Sequence, residues 1–271
     1  MIRFPNCKIN LGLRVTRKRD DGYHDLETVF YPVALKDALE LVPRTEAHEI
    51  DFTLTGLPVQ GDAESNLCVK AWRLLRRDFP ALPAIRMHLH KRIPMGAGLG
   101  GGSADGAFTL SMLNDRFRLQ LSEEQLLQYA LQLGSDCPFF IRNKPSYATG
   151  RGEELQPVQL DLSSFRIAII YPGIHINTGL AFSQIRPTQP PVSLASLIQA
   201  PVSTWRETLV NDFEIPVFRE YPAIAGIKEK LYAQGAVFAS MSGSGSSVFG
   251  LFPKDAAMNE IRSQAGTVFI I

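Results

Sequence analysis

Cysteine is scarce in this sequence: three residues, Cys7, Cys68 and Cys137, widely scattered and odd in number. No CxxC pair or Cys/His ladder joins them, which argues against a disulfide framework and a structural zinc site. A reducing cytosol is the expected setting. Long apolar runs are missing as well. None approaches the ~20 residues of a membrane span, so no membrane partner is expected. The first residues, Met1-Ile-Arg-Phe-Pro-Asn-Cys-Lys8, show neither a signal-peptide core nor an Arg/Ser-rich presequence, and the expected location is cytoplasmic. Charge of one sign is absent too: 28 Lys and Arg against 27 Asp and Glu leave +1. Such a balance makes no long-range field to gather nucleic acid, so an anionic ligand must be held by local features.

What is present fits a globular fold. The 271 residues suit one large or two moderate domains and bury a core without staples. Alternation predicts strands over Lys8–Val15, Leu26–Val33, Ala38–Val42 and Glu49–Thr55, where Ile50, Phe52 and Leu54 alternate with polar neighbours. The charged stretch Arg17–Asp25 between the first two reads as a turn or exposed loop. A helix is expected from Ser65 to Phe79, with Leu67, Ala71, Leu74 and Leu75 on one face. Ile85, Met87 and Leu89 mark a further strand. Helices over Ser103–Asn114 and from Ser122 to Leu133 follow, the latter opened by the capping box Ser122-Glu-Glu-Gln125.

In the second half, a strand is expected at Phe165–Tyr171, then a Pro-rich connection at Arg186–Val192. Helices follow near Trp205 and over Tyr221–Gln234, then a β–loop–β unit at Ala236–Phe252, a helix at Lys254–Gln264 and a last strand. Strands and helices mix without regular βα alternation, which indicates an α+β fold. A boundary near Ala148-Thr-Gly-Arg-Gly divides the chain into 1–152 and 153–271.

The most informative segment runs through Pro94, Met95, Gly96, Ala97, Gly98, Leu99, Gly100, Gly101, Gly102, Ser103 and Ala104, between a predicted strand and a predicted helix. Glycines allow positive φ and a close backbone approach, and the following helix N-terminus offers free N–H groups to phosphate. The alternative is a plain flexible turn, which five glycines in seven positions ahead of a helix argue against. Gly96, Gly98 and Gly101 satisfy GxGxxG, but the loop lies a third of the way along the chain rather than after the first strand of a βαβ series, as a Rossmann site requires. A Walker loop would carry lysine where Gly102 stands. No HRD or DFG sequence is present, which removes a protein-kinase reading. The loop must take its cation and its carboxylate from elsewhere.

With its loop, the chain resembles the GHMP kinase superfamily (galactokinase, homoserine kinase, mevalonate kinase, phosphomevalonate kinase). Pro5-Asn-Cys-Lys-Ile-Asn-Leu-Gly-Leu13 is similar to that family's N-terminal strand motif, and Met241-Ser-Gly-Ser-Gly-Ser-Ser247 to its late glycine-rich motif. Three motifs in order span almost the whole chain. The resemblance implies two lobes, an N-terminal ribosomal-protein-like ATP lobe (1–152) and a C-terminal ferredoxin-like, substrate-binding lobe (153–271). It implies ATP, with Mg²⁺ entering alongside it, as the phosphoryl source. Asp21-Gly-Tyr-His24, Gly134-Ser-Asp136-Cys-Pro-Phe-Phe140 and Ala148-Thr-Gly-Arg-Gly-Glu153 resemble a branch whose acceptor is a hydroxyl on a cytidine-diphosphate substrate. A monomer or weak homodimer is expected. Ala104, Cys137 and Arg151 depart from that branch, where a second serine, an aliphatic residue and a small residue are usual.

The resemblance also implies roles for single residues. Asp136 becomes the general base; from local sequence alone an N-cap ahead of Cys137-Pro is the plainer reading. Lys8 becomes the cation that steadies the transferred phosphoryl, against a plain surface lysine. Strand alternation puts Lys8 and Asn10 on one face, and Asn10 then binds the substrate polyol. Tyr23 and His24 become cytidine contacts and Phe182 a second stacking ring, with Thr178 near the substrate; ordinary helix packing is the alternative for Phe182. Asn66 and Lys91 line the adenine and ribose side, and Ser103 touches phosphate or its Mg²⁺. Gly243–Ser247 is either a second phosphate-facing turn or a tight strand connection. His88 and His90 share a strand face without a third metal ligand, so a solvated face is expected and no protein metal site. Two rivals stay open: another small alcohol such as homoserine or mevalonate as substrate, and a non-catalytic nucleotide-binding regulator.

Overall fold

The computed structural model describes residues 1–44, 50–59, 61–258, 261 and 266–271. In chain order the elements are β1 (Ile2–Arg3), β2 (Asn6–Lys18), β3 (His24–Lys36), β4 (Ala38–Pro43), β5 (Ile50–Gly56), α1 (Leu67–Asp78), β6 (Ile85–Lys91), α2 (Gly101–Phe117), α3 (Glu123–Leu133) and α4 (Cys137–Arg142). There follow β7 (Ser146–Thr149), β8 (Glu154–Pro157), β9 (Phe165–Tyr171), α5 (Thr178–Ser183), α6 (Leu194–Leu197), α7 (Trp205–Thr208), α8 (Glu214–Glu220), α9 (Pro222–Ala233), β10 (Phe238–Met241), β11 (Val248–Pro253) and β12 (Thr267–Ile270).

The chain forms two compact units, each assembled from separated segments: Met1–Cys7, Ala34–Met95 and Gly100–Lys144 in the first, Lys8–Val33, Gly96–Leu99 and Pro145–Ile271 in the second. In the first unit a mixed sheet runs β1-β4-β6-β5, with β5 parallel to β6 and β4 antiparallel to it. On β6, Ile85, Met87, Leu89 and Lys91 are buried while Arg86 and His90 are exposed, the period-two alternation that one covered face imposes. Helix α1 buries Cys68, Val69, Ala71, Trp72 and Leu75 and packs on α2. Helix α3 opens with the expected capping box: Gln125 N donates to Ser122 Oγ, and Ser122 N donates to Gln125 Oε1 at 2.9 Å.

The second unit contains an antiparallel sheet, β10-β11-β9-β12. Helix α9 packs against β10 and β11. Its core gathers Leu13 and Val15 of β2, Ala168 and Ile170 of β9, Ile224, Ile227 and Leu231 of α9, and Met241 and Val248 at the inner ends of β10 and β11. A further sheet has the order β2-β3-β7-β8.

Most expected elements are present with boundaries shifted by one to three residues. Helix α2 begins at Gly101 rather than Ser103, because two glycines of the loop already take helical geometry. The helix expected at Lys254–Gln264 is not helical over Lys254–Met258; residues 259, 260 and 262–264 lie outside those described, as does Glu49 at the head of the expected fourth strand.

Candidate active site

The glycine loop is built by backbone conformations that side chains rarely permit. Gly96, Gly98 and Gly100 all have positive φ, at +63°, +76° and +69°, the region glycine occupies without a steric penalty. Gly100 is the N-cap of α2 and has no side chain to bond the helix's first amides. Those N–H groups, at the positive end of a 17-residue helix, are suited to a phosphate. Ala104 is fully buried, so its methyl faces the interior, away from the solvent side where phosphate would sit.

The late glycine-rich motif is the connection between β10 and β11, and it supports the loop rather than standing apart as a second one. Ser242 Oγ donates to Gly98 O at 2.8 Å, and Ser247 N donates to Ala97 O at 3.2 Å. Gly243 sits so close that a Cβ there would meet Gly98 Cα at 3.3 Å.

Lys8 and Asn10 lie on β2 under the same loop segment. Lys8 is 4% exposed; its Nζ donates to Asn10 Oδ1 at 2.6 Å and to Gly98 O at 3.2 Å and stands 4.9 Å from the Phe30 ring centroid. The backbone completes the link, Lys8 N donating to Leu99 O at 2.9 Å. Asn10 Nδ2 donates to Thr28 Oγ1 at 2.9 Å, which in turn donates to Gly12 O at 2.6 Å. A buried ammonium is thus fixed against the loop by oxygen acceptors, an arrangement that supplies the positive charge the loop lacks.

Asp136 precedes α4, within the first unit. It occupies the N-cap position with helical backbone angles and makes no side-chain capping bond. Pro138 near the helix start sets the sharp entry. The neighbouring Cys137 is buried, and that burial pushes its thiol up to about 12, with a hydrogen bond from Ser103 opposing. It is therefore a protonated packing residue and no nucleophile.

Tyr23 and His24 sit at the β2–β3 hairpin. Tyr23 is 57% exposed, with the Arg151 guanidinium 4.9 Å from its ring centroid. The His24 ring stacks on Phe182, centroids 4.9 Å apart and 16° between planes. Phe182 also meets Phe213 edge-on at 4.7 Å, so one ring serves both the core and the hairpin. Thr178 Oγ1 lies 3.1 Å from Ser244 Oγ, beside the β10–β11 turn.

Asn66 is the N-cap of α1, its Oδ1 accepting from Cys68 N at 2.9 Å. Lys91 differs from the sequence reading. Its side chain has no exposure and bonds Asp37 and Asp105, because strand alternation turns it to the covered face of β6 with Met87 and Leu89. Its carbonyl accepts from Leu57 N at 2.9 Å, and the whole residue is buried, so Lys91 does not line a nucleotide pocket directly. His88 and His90 both reach Thr55 Oγ1, at 2.8 and 3.0 Å. Sequence reasoning does not reach Asp37, Asp105 and Thr28, whose partners are distant in the chain.

Residues 66–144 match the model of the GHMP kinases N terminal domain and residues 196–271 that of the GHMP kinases C terminal. The chain belongs to the GHMP kinases, and is an ATP-dependent small-molecule kinase. Its relatives carry a narrower name. It is 50% identical over 271 residues, 99% of this chain and 98% of the relative, to 4-diphosphocytidyl-2-C-methyl-D-erythritol kinase of Bacteroides fragilis. The protein of the same name from Bacteroides thetaiotaomicron is 53% identical, covering 96% of this chain and 95% of the relative. A crystal structure of 4-(cytidine 5'-diphospho)-2C-methyl-D-erythritol kinase superposes with a TM-score of 0.86 at 33% identity, over 100% of this chain and 98% of that one.

Proposed function

We propose that the chain transfers the γ-phosphoryl group of ATP to the 2-hydroxyl of 4-diphosphocytidyl-2-C-methyl-D-erythritol, a step of the non-mevalonate (methylerythritol phosphate) route to isopentenyl diphosphate. One observation carries this reading: about half of all positions agree, over nearly the full length, with relatives of that name. The exposed Tyr23 and the stacked His24 and Phe182 support it, since flat rings suit a cytosine base.

In this reading the α2 amides and the loop hold the ATP phosphates. Asp136 accepts the proton of the 2-hydroxyl as its oxygen bonds to the γ-phosphorus and the bond from that phosphorus to the β,γ-bridging oxygen breaks. ADP leaves with that electron pair. Lys8 lies beside the transferred group, where its fixed charge offsets the negative charge developing on the phosphoryl oxygens. Tyr23, His24 and Phe182 hold the cytosine; Asn10 and Thr178 orient the polyol; Asn66 borders the adenosine.

Mg²⁺ enters with the nucleotide. Such an ion is carried mainly by phosphate oxygens and water. Bound there, it would neutralise phosphate charge. None of the described helices is long and apolar enough to cross a membrane, and three buried free thiols suit the cytoplasm.

A panel of acceptors tests the substrate. ADP release is measured with ATP, Mg²⁺ and, in turn, the diphosphocytidyl substrate, mevalonate and homoserine. Release with the first alone is expected; equal or better release with either of the others would reassign the substrate.

A further inference from the structure

The two ends of the glycine loop are tied to one buried ammonium. Lys91 is the last residue of β6, three positions before the loop begins, and its side chain is wholly buried. Its Nζ bonds Asp37, in the connection between β3 and β4, and donates to Asp105 Oδ2, in the second turn of α2, at 2.7 Å. Asp37 also holds the approach to the loop, its Oδ1 accepting from Arg92 N at 2.5 Å and Ile93 N at 2.9 Å. Asp37 is itself anchored, its N–H donating to Pro5 O at 2.8 Å.

The exit is held as tightly. A Cβ on Gly101 would lie 2.7 Å from Ile93 Cγ2 and 3.3 Å from Lys91 Nζ, so the first residue of α2 rests on the cluster with no room for a side chain. Beneath Lys91, a Cβ on Gly56 would reach Lys91 O at 2.2 Å.

We propose that Asp37, Lys91 and Asp105 are positioning residues that hold the approach and the exit of the glycine loop in register for the ATP phosphates, and that the charge of this cluster sets how well ATP binds. The proposal rests on the nucleotide role given to the loop above. Two carboxylates around one ammonium leave one negative charge close to a site for a polyanion. Asp105 Oδ1 is buried without a hydrogen-bond partner, so nothing there stabilises a charged carboxylate; a proton on Asp105 removes that charge and lets it bond the Asp37 carboxylate. Burial favours that protonated form, and Asp37 adds to it against the pull of Lys91, so the Asp105 carboxyl is pushed up to about 8. Burial alone would lower Lys91, but the two carboxylates outweigh it and raise it, keeping the ammonium charged. The other titratable group facing the cluster is the Cys68 thiol of α1, which burial holds protonated; the Thr109 hydroxyl of α2 donates to Asp105 O.

The test is the pH dependence of KM for ATP in the wild type, Asp105→Asn and Lys91→Met, with KM for the alcohol substrate and kcat measured beside it. In the wild type KM for ATP is expected to rise several-fold between pH 7 and 9 as the cluster becomes negative, roughly the size of a single nearby charge partly screened. Asp105→Asn, neutral throughout, is expected to give a KM for ATP that does not change between pH 7 and 9. Lys91→Met leaves two buried carboxylates unpaired, and about a tenfold or larger rise in KM for ATP is expected, with KM for the alcohol little changed. Should Lys91→Met fail to fold, the Asp105→Asn profile decides alone. Profiles that coincide for wild type and Asp105→Asn would overturn the proposal while leaving the kinase reading intact. Wild-type protein that neither binds ATP nor releases ADP would instead remove the reading on which the proposal rests.

Discussion

Gly98 and Ser242 are in direct contact: the Ser242 hydroxyl donates to the Gly98 carbonyl at 2.8 Å, and a methyl group on Gly98 would come within 1.9 Å of the Ser242 carbonyl oxygen. Gly98→Ala therefore meets a backbone obstacle as well as a positive φ of +76°. A loss of stability on the order of 2–5 kcal/mol is expected from strain plus overpacking, read by urea unfolding. Gly173 is the control. Its φ is +77° but a Cβ there meets nothing within 4 Å, so Gly173→Ala is expected to cost only about 1–2 kcal/mol. Equal losses at the two positions would contradict the close packing of the two glycine-rich turns.

Lys8 is bonded to the loop through Gly98 O and to Asn10. Lys8→Met keeps the bulk and deletes the charge, and kcat is expected to fall by roughly 10²–10³-fold, as when one preorganised electrostatic partner is removed. Steady-state kinetics check this. A variant with kcat within threefold of wild type would return Lys8 to a structural role.

The cytidine assignment makes Phe182 and Tyr23 binding residues. Tyr23→Ala, at an exposed ring, is expected to raise KM for the diphosphocytidyl substrate by about 1–3 kcal/mol equivalent, the worth of one base stack. KM for ATP should be unchanged. Phe182→Leu should do the same with some loss of stability, since Phe182 also packs on Phe213. An unaltered substrate KM in both would remove the base-stacking role.

Asp105 also makes stability depend on pH. Its carboxyl is raised to about 8 in the folded protein from an unfolded value near 4. A raised folded value means the protonated form favours folding, so its contribution is full below about pH 4 and is lost as pH rises through about 8. Asp105→Asn has no such loss. Its Tm relative to wild type is therefore expected to climb between pH 6 and 9, and a constant difference would show that Asp105 stays charged.

The parts of this molecule legible in the sequence are those whose cause is local. Alternation marks β2 through Lys8 and Asn10, the capping box marks α3, and five glycines mark the loop ahead of α2. The short α4, six residues with a proline, carries too little periodicity to mark a helix, and β7 and β8, four residues each, are equally faint. Contacts across long separations were out of reach: Asp37 meets Lys91 54 residues on, and Ser242 meets Gly98 across 144. Lys91 shows why. A lysine at a strand end reads as exposed, and only the folded partners, two carboxylates under α2, reveal a buried charge.

The measurement closest to the centre of this account is substrate-dependent ADP release with ATP, Mg²⁺ and 4-diphosphocytidyl-2-C-methyl-D-erythritol, for wild type and Asp136→Asn side by side. The expected result is release in the wild type and a fall of roughly 10²–10⁴-fold in the variant, the range a positioned general base supplies, with the fold unchanged by circular dichroism. Release that survives in Asp136→Asn would contradict the role given to that carboxylate, and none from folded wild type would contradict the proposed reaction itself.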